Sequence, residues 1–366
     1  KQFQYPYVLV ATDPDEAVRL HDEGMSVIAG DLDDPETYER ARVDNASLVV
    51  STNSDQVSTN VAATVRSIAE DVDIVAIADT PASVDILELA GCTQVLQLAD
   101  MLGESLARRI SAGDAMAHVL GEFDELLIAE ATVKHTPLAG KTLAEAALRT
   151  NTGVSVVGVW ERGSYQAARP ETMIADRTVL VLAGTQEQLH KYDSLLVGFN
   201  QSVDPVIIIG AGRVGLATAR SLERRGVDYR IVEQDESRDT GDGKFVAGSA
   251  AALEVLQEAG IDTAPAVVIT TRDDDTNIYL AIYCRKLQPD IQVIARANDE
   301  RNISTLHRAG TDFVMSYASM GASAIANMLH HTSTLMVAEG LELFRLQVPD
   351  ALAGQSIAES SLRAQT

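Results

Sequence analysis

Apolar residues along this chain fall into short runs separated by longer stretches of helical character. The runs are rich in Val and Ile: Leu48 to Val50, Ile74 to Ala78, Val206 to Ile209, Tyr229 to Val232, Val267 to Ile269 and Ile291 to Ala295. Runs of this length and composition predict strands buried on both faces. The stretches between them are long enough for helices, as from Leu216 to Arg225 and from Ser316 to His331. Strand and helix in alternation predict βαβ units on a parallel sheet. A middle region, about Glu122 to Leu196, has a different rhythm. Its strands, Val154 to Trp160 and Thr178 to Leu182, flank turns at Gly163 and Pro170, which predicts a small α+β module.

The pattern repeats. Leu48-Val49-Val50-Ser51-Thr52 leading to Asp55 and Asn60 matches Val267-Val268-Ile269-Thr270-Thr271 leading to Asp274 and Asn277. Each copy continues through a helix and a strand to an Ala-Gly corner, Ala90-Gly91 and Ala309-Gly310. A second repeat relates Leu138-Ala139-Gly140-Lys141-Thr142 to Leu352-Ala353-Gly354-Gln355-Ser356. The order is therefore A–B–A–B. It divides the chain into 1–118 (first α/β unit, lacking its first strand and glycine loop), 119–198 (small module), 203–333 (second α/β unit) and 334–366 (start of the second module). Asn200 to Asp204 reads as the linker. The chain reads as beginning inside a domain and as cut from something larger.

One segment carries specific chemistry. Val206 to Ile209 runs into Gly210-Ala211-Gly212-Arg213-Val214-Gly215 and then a helix, and Glu233 ends the next strand 18 residues after Gly215. A glycine loop in this setting predicts a nucleotide site. Gly210 permits the turn, Gly212 admits a diphosphate to the backbone, and Gly215 lets helix and strand approach. The helix N-terminus offers free N–H groups to phosphate, and Arg213 can reach one. Glu233 can accept ribose hydroxyls, which favours NAD or an adenine nucleotide (ADP, ATP or AMP) over NADP. The bland alternative is a glycine turn that serves packing alone. Gly248 and Ser249, Thr270, Thr271 and Asp273, and Arg296 end neighbouring strands, the edge where open α/β sheets bind ligands. Helix capping is an equal reading for Thr270, Thr271 and Asp273, and a surface ion pair for Arg296. In the first copy Ala11 stands for Glu233, and Asp79 is aligned with Arg296. Asp13, Asp31 and Asp79 make that edge acidic, open to a divalent cation such as Ca2+ or simply to solvent.

Composition narrows the classes. With 53 acidic and 29 basic residues the net charge is −24, which repels nucleic acid. No stretch reaches the length of a membrane span, so this region reads as soluble. Cys92 and Cys284 read as buried free thiols. No catalytic constellation appears: the His residues are scattered, His330 and His331 are adjacent on a helix and make a poor metal pair, and Glu122 to Glu125 reads as a helix start or loop. The chain therefore does not read as an enzyme.

Taken together, Ile207 to Gly215, Glu233, Val267 to Asn277, Ile294 to Asn298 and Arg308 to Asp312, with Leu138 to Thr142 and Asp176 to Val181, resemble tandem RCK units, the regulators of potassium conductance. Similar units form Trk-type potassium uptake regulators and antiporter tails. The resemblance implies α/β Rossmann-like doubly wound parallel sheets, duplicated, each followed by a small α+β lobe. It implies a crossover helix, here Ser316 to His331 with Met320, Ile325, Met328 and Leu329 apolar, packed on a neighbouring lobe. It also implies dimers assembling into a tetrameric or octameric-lobed ring at the cytoplasmic face of the membrane, gated by nucleotide. The partner would be a potassium channel pore encoded upstream of residue 1, or a transporter subunit. An NAD-dependent dehydrogenase is the reading from another class, and it lacks a positioned acid, base or nucleophile. Two departures stand out. Asp235 to Lys244 is four residues shorter than its first-copy equivalent, so a helix there is weak, and Ser249 replaces Asp31.

Overall fold

The computed structural model describes residues 5–110, 116–133, 136–161, 164–176, 178–196 and 204–330, with 335–338, 341–343, 348, 354 and 355 beyond them. Calls on Gly163, His331, Leu352, Ala353 and Ser356 lie outside the described residues.

The first unit runs β1 (Leu9–Ala11), α1 (Pro14–Asp22), β2 (Val27–Ala29), α2 (Pro35–Arg40), β3 (Leu48–Ser51), α3 (Asp55–Ile68), β4 (Asp73–Ile77), α4 (Val84–Leu89), β5 (Gln94–Leu96) and α5 (Leu98–Arg108). Helices α1 and α2 start for one local reason. Asp13 and Asp34 each cap the helix through the side chain, and Pro14 and Pro35 follow with φ already suited to the first turn. Strands β1 and β2 pair in parallel, and β3, β4 and β5 form a parallel sheet.

The middle module holds β6 (His118–Phe123), β7 (Leu126–Thr132), α6 (Leu143–Ala146), α7 (Leu148–Thr152), β8 (Ser155–Glu161), β9 (Ser164–Ala167), β10 (Val179–Gly184) and α8 (Gln186–Leu196). Its sheet is antiparallel, in the order β6-β7-β10-β8-β9. Of the helix start or loop expected at Glu122 to Glu125, the structure forms the loop. It is the β6–β7 hairpin, turned at Asp124 with φ 55, a conformation that Asp tolerates because its short side chain bonds locally.

The second unit runs β11 (Val206–Ile209), α9 (Arg213–Arg224), β12 (Tyr229–Glu233), β13 (Phe245–Ala247), α10 (Leu253–Glu258), β14 (Ala266–Ile269), α11 (Asp274–Leu287), β15 (Gln292–Ala297), α12 (Ile303–Arg308), β16 (Phe313–Ser316) and α13 (Tyr317–His330). A hairpin of β17 (Leu335–Ala338) and β18 (Leu341–Leu343) follows. The six parallel strands β13-β12-β11-β14-β15-β16 reverse winding between β11 and β14, so a crevice opens at their carboxyl ends. Every residue of β11 and β14 is buried, which explains their unbroken apolar runs. After β12 only a single 3-10 turn, Glu236–Arg238, replaces α1, because the polar, glycine-bearing segment is too short for a helix.

The two copies share structural staples. Arg66 donates to the carbonyls of Glu70, Val72 and Gly91, and Arg285 donates at the same spacing to Pro289, Ile291 and Gly310. Asp55 accepts from the Asp79 N–H, and Asp274 accepts from the Asn298 N–H. That spacing corrects the sequence alignment: the counterpart of Asp79 is Asn298, and Ile77 stands where Arg296 does. Read from sequence, β4 and β15 align two residues out of register because both carry short runs of Ile, Val and Ala.

The units interlock through helices. Helix α5 lies on α9 so closely that a Cβ on Gly103 would come 2.5 Å from the Ala217 Cβ and 2.7 Å from the Thr218 N. Leu102, Leu106 and Ile110 join the core beneath the second sheet. In return, Ile325 and Met328 of α13 pack on Val75, Leu96 and Leu98 of the first unit. The crossover helix thus packs on a neighbouring lobe as the resemblance implied, with Met320 facing the second-unit core. Cys92 and Cys284 are buried free thiols. Among the described residues no helix is long and apolar enough to cross a membrane.

Candidate nucleotide cleft

A cleft of about 680 Å³ opens at the carboxyl ends of β11, β12, β13 and β14. Gly210, Gly212, Glu233, Gly248, Ser249, Thr270, Thr271 and Asp273 all line it. The fold creates this grouping, since four separate strand ends deliver these residues to one crevice.

The glycine loop is built by steric need. Gly210 takes φ 103, and a Cβ on Gly215 would lie 1.9 Å from the Gly210 carbonyl oxygen. A Cβ on Gly212 would meet nothing within 4 Å, so this glycine keeps the cleft wall open rather than serving packing. Gly212 is the N-cap of α9 and brings no side-chain hydrogen bond, which leaves the first turn of the helix without a side-chain acceptor. Thr270 fixes the loop from below, its hydroxyl donating to the carbonyls of Ile209 at 2.9 Å and Gly210 at 3.1 Å.

Glu233 accepts from the N–H groups of Ala211 at 2.8 Å, Gln234 at 2.8 Å and Asp235 at 3.2 Å, with Arg238 3.9 Å away. Burial pushes its carboxyl up, but the three N–H donors and Arg238 together hold it below the usual carboxylate range. It is ionised at neutral pH, beside the loop, at the end of β12.

The remaining expected residues divide. Asp273 is the N-cap of α11, accepting from the N–H and hydroxyl of Thr276. Thr271 donates to the Asn277 side chain at 2.6 Å. Both line the cleft; Asp273 is the cap, and Thr271 braces the first turn of α11. Ser249 accepts from Gln234 at 3.3 Å. Gly248 takes φ 139. Val214 and Gly215 are buried under the loop and outside the lining. Arg213 does not reach into the cleft. It pairs with Asp79 of the first unit, because α9 begins at the seam between units. Arg296 is neither in the lining nor in a surface ion pair. Its guanidinium lies 4.9 Å from the Tyr317 ring centroid, and burial lowers its pKa. Two of the three acids at the edge of the first copy are engaged: Asp13 caps α1 and Asp79 pairs with Arg213. Among the described residues no three His, Cys, Asp or Glu side chains gather as a metal site.

The family model described as the TrkA-N domain matches residues 1–98 and 206–317, and that of the TrkA-C domain matches 128–197. The chain belongs to the TrkA-N family. Its A–B–A layout is the paired TrkA-N and TrkA-C order. This TrkA-N chain is similar to the GsuK RCK domain, at 37% identity and TM-score 0.76, over 100% of this chain and 80% of that one. It is also similar to a GsuK channel structure bound to NAD, at 37% identity and TM-score 0.74, over 99% of this chain and 66% of that one. A Trk system potassium uptake protein TrkA homolog of Pyrococcus abyssi is 32% identical over 173 residues, 43% of this chain and 76% of that protein. The chain spans about half, 54%, of a longer relative, probable potassium channel protein 2 of Methanocaldococcus jannaschii.

Sequence reading missed several residues of this TrkA-N cleft. Gln234, Arg238, Arg272, Thr276 and Tyr279 also line it. Arg238 donates to Asp235 at 3.2 Å and to the Ala211 carbonyl at 3.4 Å, a cation at the rim that no motif announces. Asp274 accepts from Asn298, Asp299 and Asn302 and so ties α11 to the end of β15. The recurrence of Asp55 and Asp274 at matched positions was the available signal for it.

Proposed function

We propose that this chain is the ligand-sensing region of a potassium channel, regulating potassium flux from the cytoplasmic face when NAD or an adenine nucleotide binds the second-unit cleft. The observation that carries the reading is Gly212: open space at its Cβ position, on an uncapped helix N-terminus, one strand away from an ionised Glu233. The diphosphate would lie on the N–H groups after Gly212, and Glu233 would accept ribose hydroxyls and repel a 2′-phosphate. The similar GsuK channel bound to NAD supports the ligand class. Two carboxylates of the cleft are already engaged, Glu233 by three backbone N–H groups and Asp273 as the cap of α11, which supports sensing over turnover. Ligand acts on the pore only through different affinities for its open and closed assemblies.

The likeness to the Trk system relative favours a second setting, a peripheral regulator of potassium uptake. Two membrane helices and a selectivity filter encoded upstream would select the channel, and their absence the regulator.

Thermal unfolding with NAD, ADP, ATP and Ca2+, on wild type and Gly212→Asp, tests the site. A native-state ligand at a hundred times its dissociation constant adds about 2.7 kcal/mol. The expected result is stabilisation by NAD or an adenine nucleotide that disappears in Gly212→Asp. No stabilisation by any nucleotide overturns the assignment.

A further inference from the structure

Helix α9 begins at the glycine loop, and three arginines along it reach the first unit. Arg225 donates to the Ala107 carbonyl and Arg220 to the Asp100 carboxylate, gripping α5 along its length. Arg213 grips Asp79, through the carboxylate and, at 3.2 Å, through the backbone carbonyl.

Arg213 differs from the other two in position. It is the first residue of α9, directly after Gly212, where the positive end of the helix dipole disfavours a cation unless an anion stands beside it. In this structure Asp79 is that anion. Asp79 is held in place by the first unit: its N–H donates to Asp55 Oδ1 at 2.6 Å, and the hydroxyl of the next residue, Thr80, donates to Asp55 Oδ2 at 3.3 Å. The equivalent position in the second copy is Asn298, which carries no charge, so the acid occurs only on the side that faces Arg213. The side chains of Arg213 and Asp79 are 43% and 44% exposed, and a solution anion can therefore reach the pair.

We propose that the Arg213–Asp79 pair is a latch on the nucleotide site, in which a bound diphosphate and Asp79 compete for one guanidinium. Occupancy of the cleft then loosens the hold of the first unit on the glycine loop, and by linkage the closed latch weakens nucleotide binding by the same factor. The latch rests on the nucleotide reading above. Exposed ion pairs of this kind shift an equilibrium by up to about fivefold.

The test is a calorimetric titration of ADP at low ionic strength into the whole chain in four forms: wild type, Asp79→Asn, Arg213→Gln and the double variant, each first checked for an unchanged thermal midpoint. Asp79→Asn is expected to tighten ADP about two- to fivefold in the wild-type background and to change nothing in the Arg213→Gln background. An unchanged or weakened affinity in Asp79→Asn sinks the latch. So does an equal gain in both backgrounds, because that is the field of a removed charge and needs no competition for Arg213. If ADP does not bind the wild type the same four titrations are run with NAD, and absence of binding by both overturns the nucleotide reading and the latch together. Binding to the wild type without coupling between the two positions removes the latch alone.

Discussion

A Cβ on Gly215 would stand 1.9 Å from the Gly210 carbonyl and 2.8 Å from the Thr270 hydroxyl, whereas one on Gly212 would touch nothing. The same residue type therefore meets a steric demand at one position and borders open space at the other, where the proposed diphosphate would lie. Gly215→Ala is expected to cost about 1–3 kcal/mol through overpacking, while Gly212→Ala stays within about 0.5 kcal/mol, both read from urea unfolding. Equal losses in the two would show that Gly212 also serves packing. The turn at Gly210 and the close approach at Gly215 were legible from the strand before the loop and the helix after it. Arg213 was not: reading along the chain placed it beside a phosphate, while its partner Asp79 lies in the other unit. Arg296 was misplaced for a related reason, since a charged residue at a strand end reads as a surface group until Tyr317 of the following helix is seen beside it.

Among the elements, α5 and α9 make the closest approach between units. Gly103, Ala217 and Thr218 let their backbones meet, and nothing at Gly103 is a flexible chain end that can move aside. Gly103→Leu should push the helices apart and lower stability by about 1–3 kcal/mol or more, measured by thermal or urea unfolding. An unchanged midpoint would mean that the seam is loose. Sequence periodicity announced the strands and helices well, because buried parallel strands and amphipathic helices leave distinct apolar rhythms. The packing of α13 on a neighbouring lobe was implied by the family resemblance and not by the apolar rhythm, and neither gave an address for α5. Small residues at a helix contact look like any other helix formers until the facing helix is known. The weak segment after β12 was legible, since a helix cannot form where Gly241 and Gly243 break so short a stretch.

Across the whole molecule, two related α/β units exchange crossover helices, so each buries one face of its sheet with help from the other. The repeat revealed the duplication, yet its two-residue slip at β4 and β15 hid the contrast between Asp79 and Asn298. That contrast matters because the copies are no longer equivalent. The second has Glu233 at the end of β12 and a cleft around it, while the first has Ala11 at the end of β1 and spends Asp79 on Arg213. The nucleotide seat proposed for the second unit, on a helix that packs on the first, would give ligand occupancy a route to the geometry between units.

The most direct check of that asymmetry is the stoichiometry of NAD binding to the whole chain by titration calorimetry, repeated on Gly212→Asp. One nucleotide per chain, lost in the variant, is the predicted result. Binding that survives Gly212→Asp undiminished would contradict it and place the ligand elsewhere in the molecule.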